Sequence, residues 1–386
     1  MKVSHNHLHA KQNMIADFFP YADNTFSVWA GYFSSRPSLK GYVRDTSSYL
    51  QSTRALLWAA DIRDADIEFL EKTMGTLQHH DAVTGTERQH VAFDYARRAA
   101  LGHHLARKPV SDALQALTDV TTEWTDCPLT NVSMCDIMET NDNVAVAVTN
   151  QLAQERTVVV RTVVSADQGG SWKVTDSNGN DVTAQLVPLS SRDQSLRKIN
   201  GGDMSRNVQW LVFRTHSLPA LGFDTYFVQQ TSSIGAPHTV PSKVSHPSPS
   251  QLRGLSSIDF SISNKLVELT FDGKTGFVKS GKNLLSGVAM PLSQEFMWWN
   301  ASVGNGTGAE SQASGAYIFR PNKTYAYTIS DKASITKIDG PVVQEVHQSF
   351  ADWVTQVIRV TVDSVNPEFE WTVGPIPIAV RGFLLL

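Results

Sequence analysis

Three consecutive residues, His79, His80 and Asp81, carry side chains that commonly bind metals. Neutral imidazole is the most frequent metal ligand in proteins, and a neighbouring carboxylate can orient the imidazole or a bound substrate. The triplet falls between two predicted helices, in a turn that presents its side chains. Zinc needs at least three protein ligands from different elements, and contiguous residues cannot all converge on one ion. The triplet therefore indicates at most part of a metal site, and a surface or capping role remains the alternative.

A second histidine pattern lies at the N-terminus, where His5, His7 and His9 alternate. In an extended strand the three imidazoles would face the same way, as in a metal clip. Order is least expected at a chain terminus. We therefore expect a frayed tail here and assign no metal to it.

Two aromatic clusters could contact a sugar. Asp17 and Asp23 lie among aromatic residues, and Trp29 follows closely. A second cluster in the C-terminal half contains Trp298, Trp299, Tyr317 and Phe319. Sugars offer flat C–H faces to aromatic rings and hydroxyls to carboxylates. Both clusters equally suit the edge of a core, so their composition leaves packing and binding open.

The chain contains two cysteines, Cys127 and Cys135. They cannot form a four-ligand zinc site alone. A short disulfide-closed loop and a pair of free thiols in a reducing compartment are both compatible with the spacing. A glycosylation acceptor, Asn131, lies inside this loop, and three more occur at Asn300, Asn305 and Asn322. Their number alone decides nothing.

Helical periodicity dominates from residue 34 to about residue 108. The first predicted helix is capped by Ser34 or Ser35, has Pro37 in its first turn and extends to about Ala60. The second begins at residues 64–66 and ends near Gln78, with Ile67, Leu70, Met74 and Leu77 on one face.

The third helix is predicted from Thr86 and Gln89, which stand in capping-box spacing. Its apolar stripe contains Val91, Tyr95 and Ala99. Pro109 is predicted to lie beyond its end. Three amphipathic helices with short connections indicate a small bundle.

After Cys135 the hydrophobic period changes to two, which is typical of strands. Strands are predicted at Asn143–Thr149, Arg156–Val164, Val208–Phe213, Thr225–Gln229, Leu266–Phe271, Ile335–Val343, Thr355–Val362 and Phe369–Val373. Turns are predicted at Asn178-Gly179 and Asp272-Gly273. Residues 232–257 are rich in Ser and Pro and indicate a linker or exposed loop. The predicted fold class is α+β and multidomain, a three-helix bundle followed by an antiparallel β-sandwich.

Composition restricts the function classes. The chain has 386 residues, 41% hydrophobic and 18% charged, which excludes a protein that is disordered throughout. Its formal charge is −4 and its basic residues are scattered, so nucleic-acid binding through a basic stripe is excluded. No apolar run approaches the roughly 18 residues that a membrane span needs. The first residues do not form a secretory signal, which predicts either a cytosolic protein or a missing N-terminus.

Six segments together resemble the lysosomal class II α-mannosidases of glycoside hydrolase family 38. They occur in the family's order and are DFFPYAD (17–23), WAGYFSSRP (29–37), QHHDAVTGTERQHVAFDYA (78–96), SGAYIFRPN (314–322), VVQEVHQSF (342–350) and WTVGPIPI (371–378). The resemblance implies a zinc-dependent, retaining α-mannosidase that removes terminal α-mannose from N-linked oligosaccharides. It also implies a lysosomal or secretory location.

The resemblance implies roles for three residues. His80 matches the family's zinc-binding histidine, and Asp81 matches the aspartate that hydrogen-bonds mannose hydroxyls. Tyr317 matches a tyrosine that contacts mannose in the same pocket. The cysteines that flank Asn131 look like a family disulfide, whereas a second family disulfide has no cysteines here.

The resemblance also implies a domain layout. Residues 1–33 would end a catalytic α/β domain, 34–125 would form the three-helix middle domain, and 126–231 a first β region. Residues 232–257 would be the linker and 258–386 a truncated sandwich of the galactose-mutarotase-like type, with the terminal AVRGFLLL departing from the family pattern.

The family's nucleophile and acid/base carboxylate have no matching position in the sequence. We therefore expect a fragment that lacks its N-terminal catalytic domain and is inactive alone. Two alternatives remain, a non-catalytic carbohydrate-binding or assembly module and one half of a split enzyme whose partner is that catalytic domain.

Overall fold

The computed structural model describes residues 20–24, 27–63, 65–118, 120–167, 171–231, 239–245, 258–305, 307–308 and 311–377. The predicted N-terminal histidine pattern, Asp17 and the AVRGFLLL segment lie outside these residues. The chain divides into two compact units. Unit 1 comprises residues 1–124, 297–328 and 377–386, and unit 2 comprises residues 125–296 and 329–376. The five-part domain layout stays a prediction.

The described residues form six α-helices and twenty strands. The helices are α1 (Gly31–Ser34), α2 (Pro37–Ala59), α3 (Glu68–Leu77), α4 (Gln89–Thr118), α5 (Asp136–Thr140) and α6 (Ser191–Ile199). None of these helices has the length and apolar character needed to cross a bilayer.

The strands of unit 1 are short. They are β1 (Ala22–Asn24), β2 (Ser27–Val28), β15 (Met297–Trp298) and β16 (Tyr327–Thr328). The strands of unit 2 are β3 (Asn143–Asn150), β4 (Val159–Ser165), β5 (Ser171–Thr175), β6 (Ala184–Pro188), β7 (Val208–Arg214), β8 (Gly222–Thr231), β9 (Thr239–Pro241), β10 (Lys243–Ser245), β11 (Phe260–Ser263), β12 (Val267–Phe271), β13 (Val278–Asn283), β14 (Ala289–Pro291), β17 (Ser334–Asp339), β18 (Val343–Ala351), β19 (Val354–Thr361) and β20 (Glu368–Val373).

The apolar stripes of α2, α3 and α4 form the core of unit 1. The buried members of this core are Val43, Leu50, Leu70, Met74, Leu77, Ala99 and Ala106. These positions follow the helical period, so one face of each helix is removed from water. The predicted three-helix bundle is confirmed.

The predicted helix caps are wrong. The residue before α2 is Arg36, which makes no side-chain cap, although Pro37 does occupy the first turn. The Ser35 hydroxyl donates instead to the carbonyl oxygens of Gly31 and Ala316, both at 2.9 Å. Thr86 lies before Gln89, the first residue of α4, and its hydroxyl donates to Asp81. Capping residues in the sequence therefore did not identify the first residue of either helix.

Pro109 lies inside α4, which is a second correction to the sequence prediction. Proline removes one backbone donor and commonly ends or kinks a helix. Here Ala106, Ala113 and Leu114 are buried on both sides of it. Because burial continues past Pro109, packing outweighs the loss of one helical hydrogen bond.

In its described residues, unit 2 contains four sheets in addition to α5 and α6. Their strand orders are β3-β8-β5, β4-β7-β6-β9, β11-β12-β13-β14 and β10-β17-β18-β19-β20. All neighbours are antiparallel except β6 and β9, which are parallel. One apolar core contains Trp172, Phe213 and Tyr226, and a second contains Ile262, Phe271 and Ile358. The predicted antiparallel fold is confirmed.

Two segment boundaries differ from the prediction. The expected strand Ile335–Val343 is a hairpin, because β17 ends at Asp339 and β18 begins at Val343. The predicted linker 232–257 contains β9 and β10, which pair with β6 and β17. The predicted turns are found, with Gly179 donating to the Asp176 carbonyl at 3.0 Å and the Asp272 turn joining β12 to β13.

Cys127 and Cys135 are joined by a disulfide. Cross-linking so short a loop removes chain entropy from the unfolded state, worth about 2 to 3 kcal/mol. Replacing both residues with serine should therefore lower the free energy of unfolding of unit 2 by that amount, measured by urea denaturation. Adding a reductant should destabilise the wild-type chain and leave the double-serine variant unchanged. Equal stability of the two oxidised proteins would contradict the prediction.

Candidate functional site

The His-His-Asp triplet lies in a turn that follows α3. The His79 N–H donates to the Thr76 carbonyl at 3.0 Å, and the Ala82 and Gly85 N–H groups donate to the carbonyls of His79 and Ala82 at 2.8 and 2.9 Å. Ala82 is fully buried and anchors the turn. The side chain of His80 is 84% exposed and therefore free to reach a ligand.

Two cations of the α2 segment hold this turn against the bundle. Lys40 Nζ donates to the carbonyls of Tyr32 and Val83 at 2.8 and 2.7 Å. Arg36 donates to the Glu87 carbonyl at 2.8 Å, and its Nε lies 3.3 Å from the buried Glu87 carboxylate. Charge-assisted hydrogen bonds thus hold the segment that follows the triplet, at Val83 and Glu87.

Tyr317 reaches the same place from a distant segment. The Tyr317 carbonyl accepts the Gly31 N–H at 3.0 Å, and Phe319 pairs with Val28. The Tyr317 ring lies 5.8 Å from the Trp29 ring. This backbone pairing with the segment before α2 brings the Tyr317 hydroxyl to the turn that carries Asp81.

The Asp81 carboxylate connects these parts. Its Oδ1 accepts hydrogen bonds from the Tyr317 hydroxyl at 2.7 Å and from the Thr86 hydroxyl at 2.9 Å, although Tyr317 is 236 positions away. Its Oδ2 lies 3.5 Å from His79 Nε2 and 3.8 Å from His80 Nε2. One oxygen is therefore fixed by hydroxyls while the other faces the imidazoles.

These hydrogen bonds control the protonation of Asp81. The Tyr317 hydroxyl first, and the Thr86 hydroxyl second, lower the pKa of Asp81, with a smaller opposing effect of burial and a small contribution from the two histidines. Donors that contact the charged form favour it. Asp81 consequently remains an ionised acceptor in mildly acidic solution.

The donor set fits a zinc ion in type and only partly in number. One ligand atom from each of His79, His80 and Asp81 lies within 4.8 Å of the others, and the part of the chain that the structure describes holds no other such group. Imidazole nitrogen and carboxylate oxygen are ordinary zinc ligands, and a site needs about four. Three contiguous residues cannot complete that set.

The structure thus brings together the three residues singled out in the sequence, His80, Asp81 and Tyr317. The other aromatic residues make ring pairs typical of packing. Trp298 stacks on Tyr327 at 4.7 Å, and Trp299 meets Phe319 edge-on at 5.7 Å.

Sequence reasoning missed the role of Thr86, which it assigned to a capping box. The Thr86 hydroxyl bonds to Asp81 and lies 2.9 Å from the Thr84 hydroxyl, while Gln89 Oε1 accepts from Arg36 at 2.5 Å. The available signal was a hydroxyl five residues after Asp81 in a turn that returns on itself.

Three protein-family models match the chain. The alpha mannosidase middle domain matches residues 27–117, the lysosomal alpha-mannosidase-like central domain matches 182–228, and the glycosyl hydrolases family 38 C-terminal domain matches 262–377. The chain belongs to glycoside hydrolase family 38. The match to the middle-domain model spans the triplet, and the match to the C-terminal model spans Tyr317.

Curated relatives of this family-38 chain cover nearly all of it. The lysosomal alpha-mannosidase of Homo sapiens is 39% identical over 373 residues, and that of Mus musculus is 37% identical over 369 residues. Each alignment covers 94% of this chain and 34% of the relative. The chain therefore spans about a third of the length of these relatives.

A solved structure supports the fold. An alpha-mannosidase from Enterococcus faecalis V583 superposes with a TM-score of 0.54 at 13% identity, covering 90% of this chain and 42% of that one. At this identity the similarity concerns the fold alone.

Replacing Tyr317 with phenylalanine in this family-38 chain should raise the pKa of Asp81 toward its ordinary value, because the strongest hydrogen bond to the carboxylate is lost. The carboxyl carbon shift of labelled Asp81, followed through a pH titration, measures the effect. Thr86→Val should give a smaller rise. Tyr325→Phe, an exposed tyrosine elsewhere in unit 1, is the control. An unchanged Asp81 titration in Tyr317→Phe would contradict the contact.

Proposed function

We propose that this chain is part of a zinc-dependent, retaining α-mannosidase that removes terminal α-mannose from N-linked oligosaccharides. Its relatives are named lysosomal alpha-mannosidases, and this supports a location in the lysosome or elsewhere in the secretory pathway. Within this proposal, His80 is a metal ligand, and Asp81 and Tyr317 bind the substrate.

One observation carries the proposal. The Tyr317 hydroxyl donates to Asp81 Oδ1 at 2.7 Å, beside two imidazoles whose Nε2 atoms lie 3.5 and 3.8 Å from Asp81 Oδ2. Segments 236 residues apart thus place an aromatic hydroxyl, a carboxylate and imidazole nitrogens together. These groups suit a saccharide site that includes a metal ion.

His80 would hold the zinc ion through its imidazole, and its 84% exposure leaves the ring accessible. When bound, zinc would act as a Lewis acid toward the oxygen atoms of the sugar. Further ligands must come from residues beyond the triplet, because His79, His80 and Asp81 are contiguous.

Asp81 would accept hydrogen bonds from mannose hydroxyls through Oδ2. Its Oδ1 is already engaged by Tyr317 and Thr86, which fixes the carboxylate plane and keeps the group ionised. The Tyr317 ring, paired with Trp29, would lie against the sugar. These residues bind and orient substrate and transfer no proton.

Retaining glycosidases use two carboxylates about 5 to 5.5 Å apart, a nucleophile and an acid/base. The sequence offers no position that matches the family's pair. We therefore propose that residues 1–386 do not turn over by themselves and that hydrolysis requires a catalytic α/β domain in addition to them.

Hydrolysis of 4-methylumbelliferyl α-D-mannoside tests this proposal. The purified chain should give only trace hydrolysis with added zinc. Co-expression with the N-terminal catalytic domain of a family-38 mannosidase should give zinc-dependent hydrolysis. His80→Ala should abolish that activity, whereas His104→Ala, which removes an exposed histidine of α4, should preserve it.

Turnover by the chain alone would overturn the proposed division of roles. Binding of mannosides that survives His80→Ala, without hydrolysis in any combination, would favour a non-catalytic carbohydrate-binding module. Loss of activity in His104→Ala as well would mean that the His80 result reports folding.

A further inference from the structure

Unit 2 contains a cavity of about 890 Å³ that is lined by residues of β17, β18 and β19. Residues 188–192, which join β6 to α6, form one wall. The volume is within the range of small-molecule sites. No step of the proposed mannosidase function uses this cavity.

Four side-chain hydroxyls form a row across the sheet at the floor of the cavity. Ser334, Ser349, Thr355 and Thr372 are successive cross-strand partners on β17, β18, β19 and β20. Because directly opposed residues point to the same face, the four hydroxyls lie on one side of the sheet. The first three line the cavity, and Thr372 is bonded by Arg192.

The adjacent row adds an imidazole. Thr336 and Val357 flank His347 on the same face. His347 Nε2 lies 2.6 Å from Glu345 Oε2, so this nitrogen is committed to a buried carboxylate. Nδ1 is the ring nitrogen that Glu345 does not engage, and the side chain is 14% exposed at the cavity.

A polar face on an antiparallel sheet is ordinarily open to water. The opposite face of this sheet contributes Val346, Ile358 and Val360 to an apolar core. Residues 188–192 cover part of the polar face, while Ser334 and Ser349 remain exposed. Hydroxyls and an imidazole that converge in a partly covered cavity can bind a polar ligand.

Ion pairs centred on the buried Glu345 and the partly exposed Glu370 stabilise this floor. Glu345 bonds to Arg161 at 2.6 Å and to Arg359 at 2.8 Å. Glu370 bonds to Arg192 at 2.5 Å and also contacts Arg359. Arg192 is thereby fixed in the wall beside the hydroxyl row.

The charge of the lining is positive. Besides Arg192, the cavity is lined by Lys274 and Lys332, both exposed, and no Asp or Glu is found among its described lining residues. The N-terminal residues of α6 also border it, and the Asp193 carboxylate accepts the N–H of Ser190 at this end of the helix. Asp272 lies next to Lys274, but its carboxylate accepts N–H groups of its own turn.

Three features of the lining define the ligand. Hydroxyls and imidazole bind the hydroxyls of a saccharide, and the lysines bind an anion. The described residues that line the cavity include no Phe, Tyr or Trp, so a broad aromatic face for stacking of a neutral sugar is not provided. We propose that this cavity binds a saccharide that carries an anionic group, a phosphate, sulfate or carboxylate.

Isothermal titration of the 386-residue chain with glucose 6-phosphate tests the proposal, with glucose and inorganic phosphate as comparison ligands. Glucose 6-phosphate should bind at least about tenfold more tightly than either. The double variant Lys274→Gln, Lys332→Gln should lose about tenfold in affinity for it. Lys265→Gln, Lys282→Gln removes two exposed lysines elsewhere in unit 2 and should bind as the wild type does.

Ser349→Ala distinguishes recognition of the sugar from recognition of the anionic group. It should weaken binding of glucose 6-phosphate and leave binding of inorganic phosphate unchanged, because only the sugar uses the hydroxyl row. Equal affinity for glucose and glucose 6-phosphate would overturn the anionic part of the proposal, and equal affinity for phosphate and glucose 6-phosphate would overturn the saccharide part. Absence of binding, or equal losses in the two lysine double variants, would overturn it entirely. None of these outcomes changes the result expected for His80→Ala.

Discussion

Replacing Glu345 with glutamine is expected to lower the free energy of unfolding of unit 2 by about 3 to 5 kcal/mol. The Glu345 side chain is completely buried and bonds to Arg161, Arg359 and His347. Removing one member of a buried ionic group leaves the others without a counter-charge, and this costs more than the pair contributes when complete. Arg359 is only 10% exposed and cannot recover its hydration by turning outward.

This effect depends on pH. Burial by itself would raise the pKa of Glu345, but Arg161, His347 and Arg359 outweigh it and hold the pKa well below its ordinary value of 4.5. A carboxylate whose folded pKa is depressed stabilises the fold above its unfolded pKa and loses that contribution as the pH falls through the folded value. The difference between wild type and Glu345→Gln should thus be constant at neutral pH and shrink below about pH 4.5.

Hydrogen exchange of peptides from β18 and β19, combined with urea denaturation, measures this change in unit 2. Glu155→Gln is the control, because Glu155 is an exposed carboxylate elsewhere in unit 2 that contacts Ser217. It should change stability by less than about 0.5 kcal/mol. Equal effects of the two variants, or an effect of Glu345→Gln that does not vary below pH 4.5, would contradict the ion-pair network.

Helices were predictable here because their information is local. The apolar period of α2, α3 and α4 appears in any window of the sequence, and burial of the same residues follows from it. Helix caps could not be predicted, because a side chain of a typical capping residue can instead form a hydrogen bond with a residue of another segment. Thr86 bonds to Asp81, and Ser35 bonds to Ala316.

In the β half, one strand was predicted where the structure has the β17–β18 hairpin. The run from Ile335 to Val343 contains Asp339, Gly340 and Pro341, which are typical of a turn, and the chain turns at these residues. The N–H groups of Val342 and Val343 donate to Oε1 of the buried Gln185 at 3.0 and 2.9 Å. Gln185 belongs to β6, so a side chain from a distant strand fixes the end of this one.

The candidate site also has a part that could be predicted from the sequence and a part that could not. The triplet at residues 79–81 was visible as a local motif, and resemblance to a family singled out Tyr317. Neither could give the hydrogen bond between Tyr317 and Asp81, since it depends on the pairing of Phe319 with Val28. The hydroxyl row of unit 2 was equally invisible, because cross-strand register exists only in the folded sheet.

Replacing Gly85 with alanine is expected to disrupt the turn that carries Asp81. Gly85 has a φ of +73°, a conformation that costs a residue with a side chain about 1 to 2 kcal/mol. An added Cβ would also lie 2.3 Å from the Ser35 carbonyl oxygen and 2.8 Å from its carbon, both rigid backbone atoms. The turn must shift, and the Thr86 and Tyr317 bonds to Asp81 must lengthen with it.

Two measurements check this expectation. The free energy of unfolding of unit 1 should fall by more than about 2 kcal/mol, and the pKa of Asp81 should rise toward its ordinary value in the protein that remains folded. Gly75→Ala is the matched control, since Gly75 lies in α3 with no atom within 4 Å of an added Cβ. That substitution should stabilise the helix by about 0.5 to 1 kcal/mol and leave Asp81 unchanged. A Gly85→Ala protein with wild-type stability and a wild-type Asp81 titration would show that the turn does not control the carboxylate.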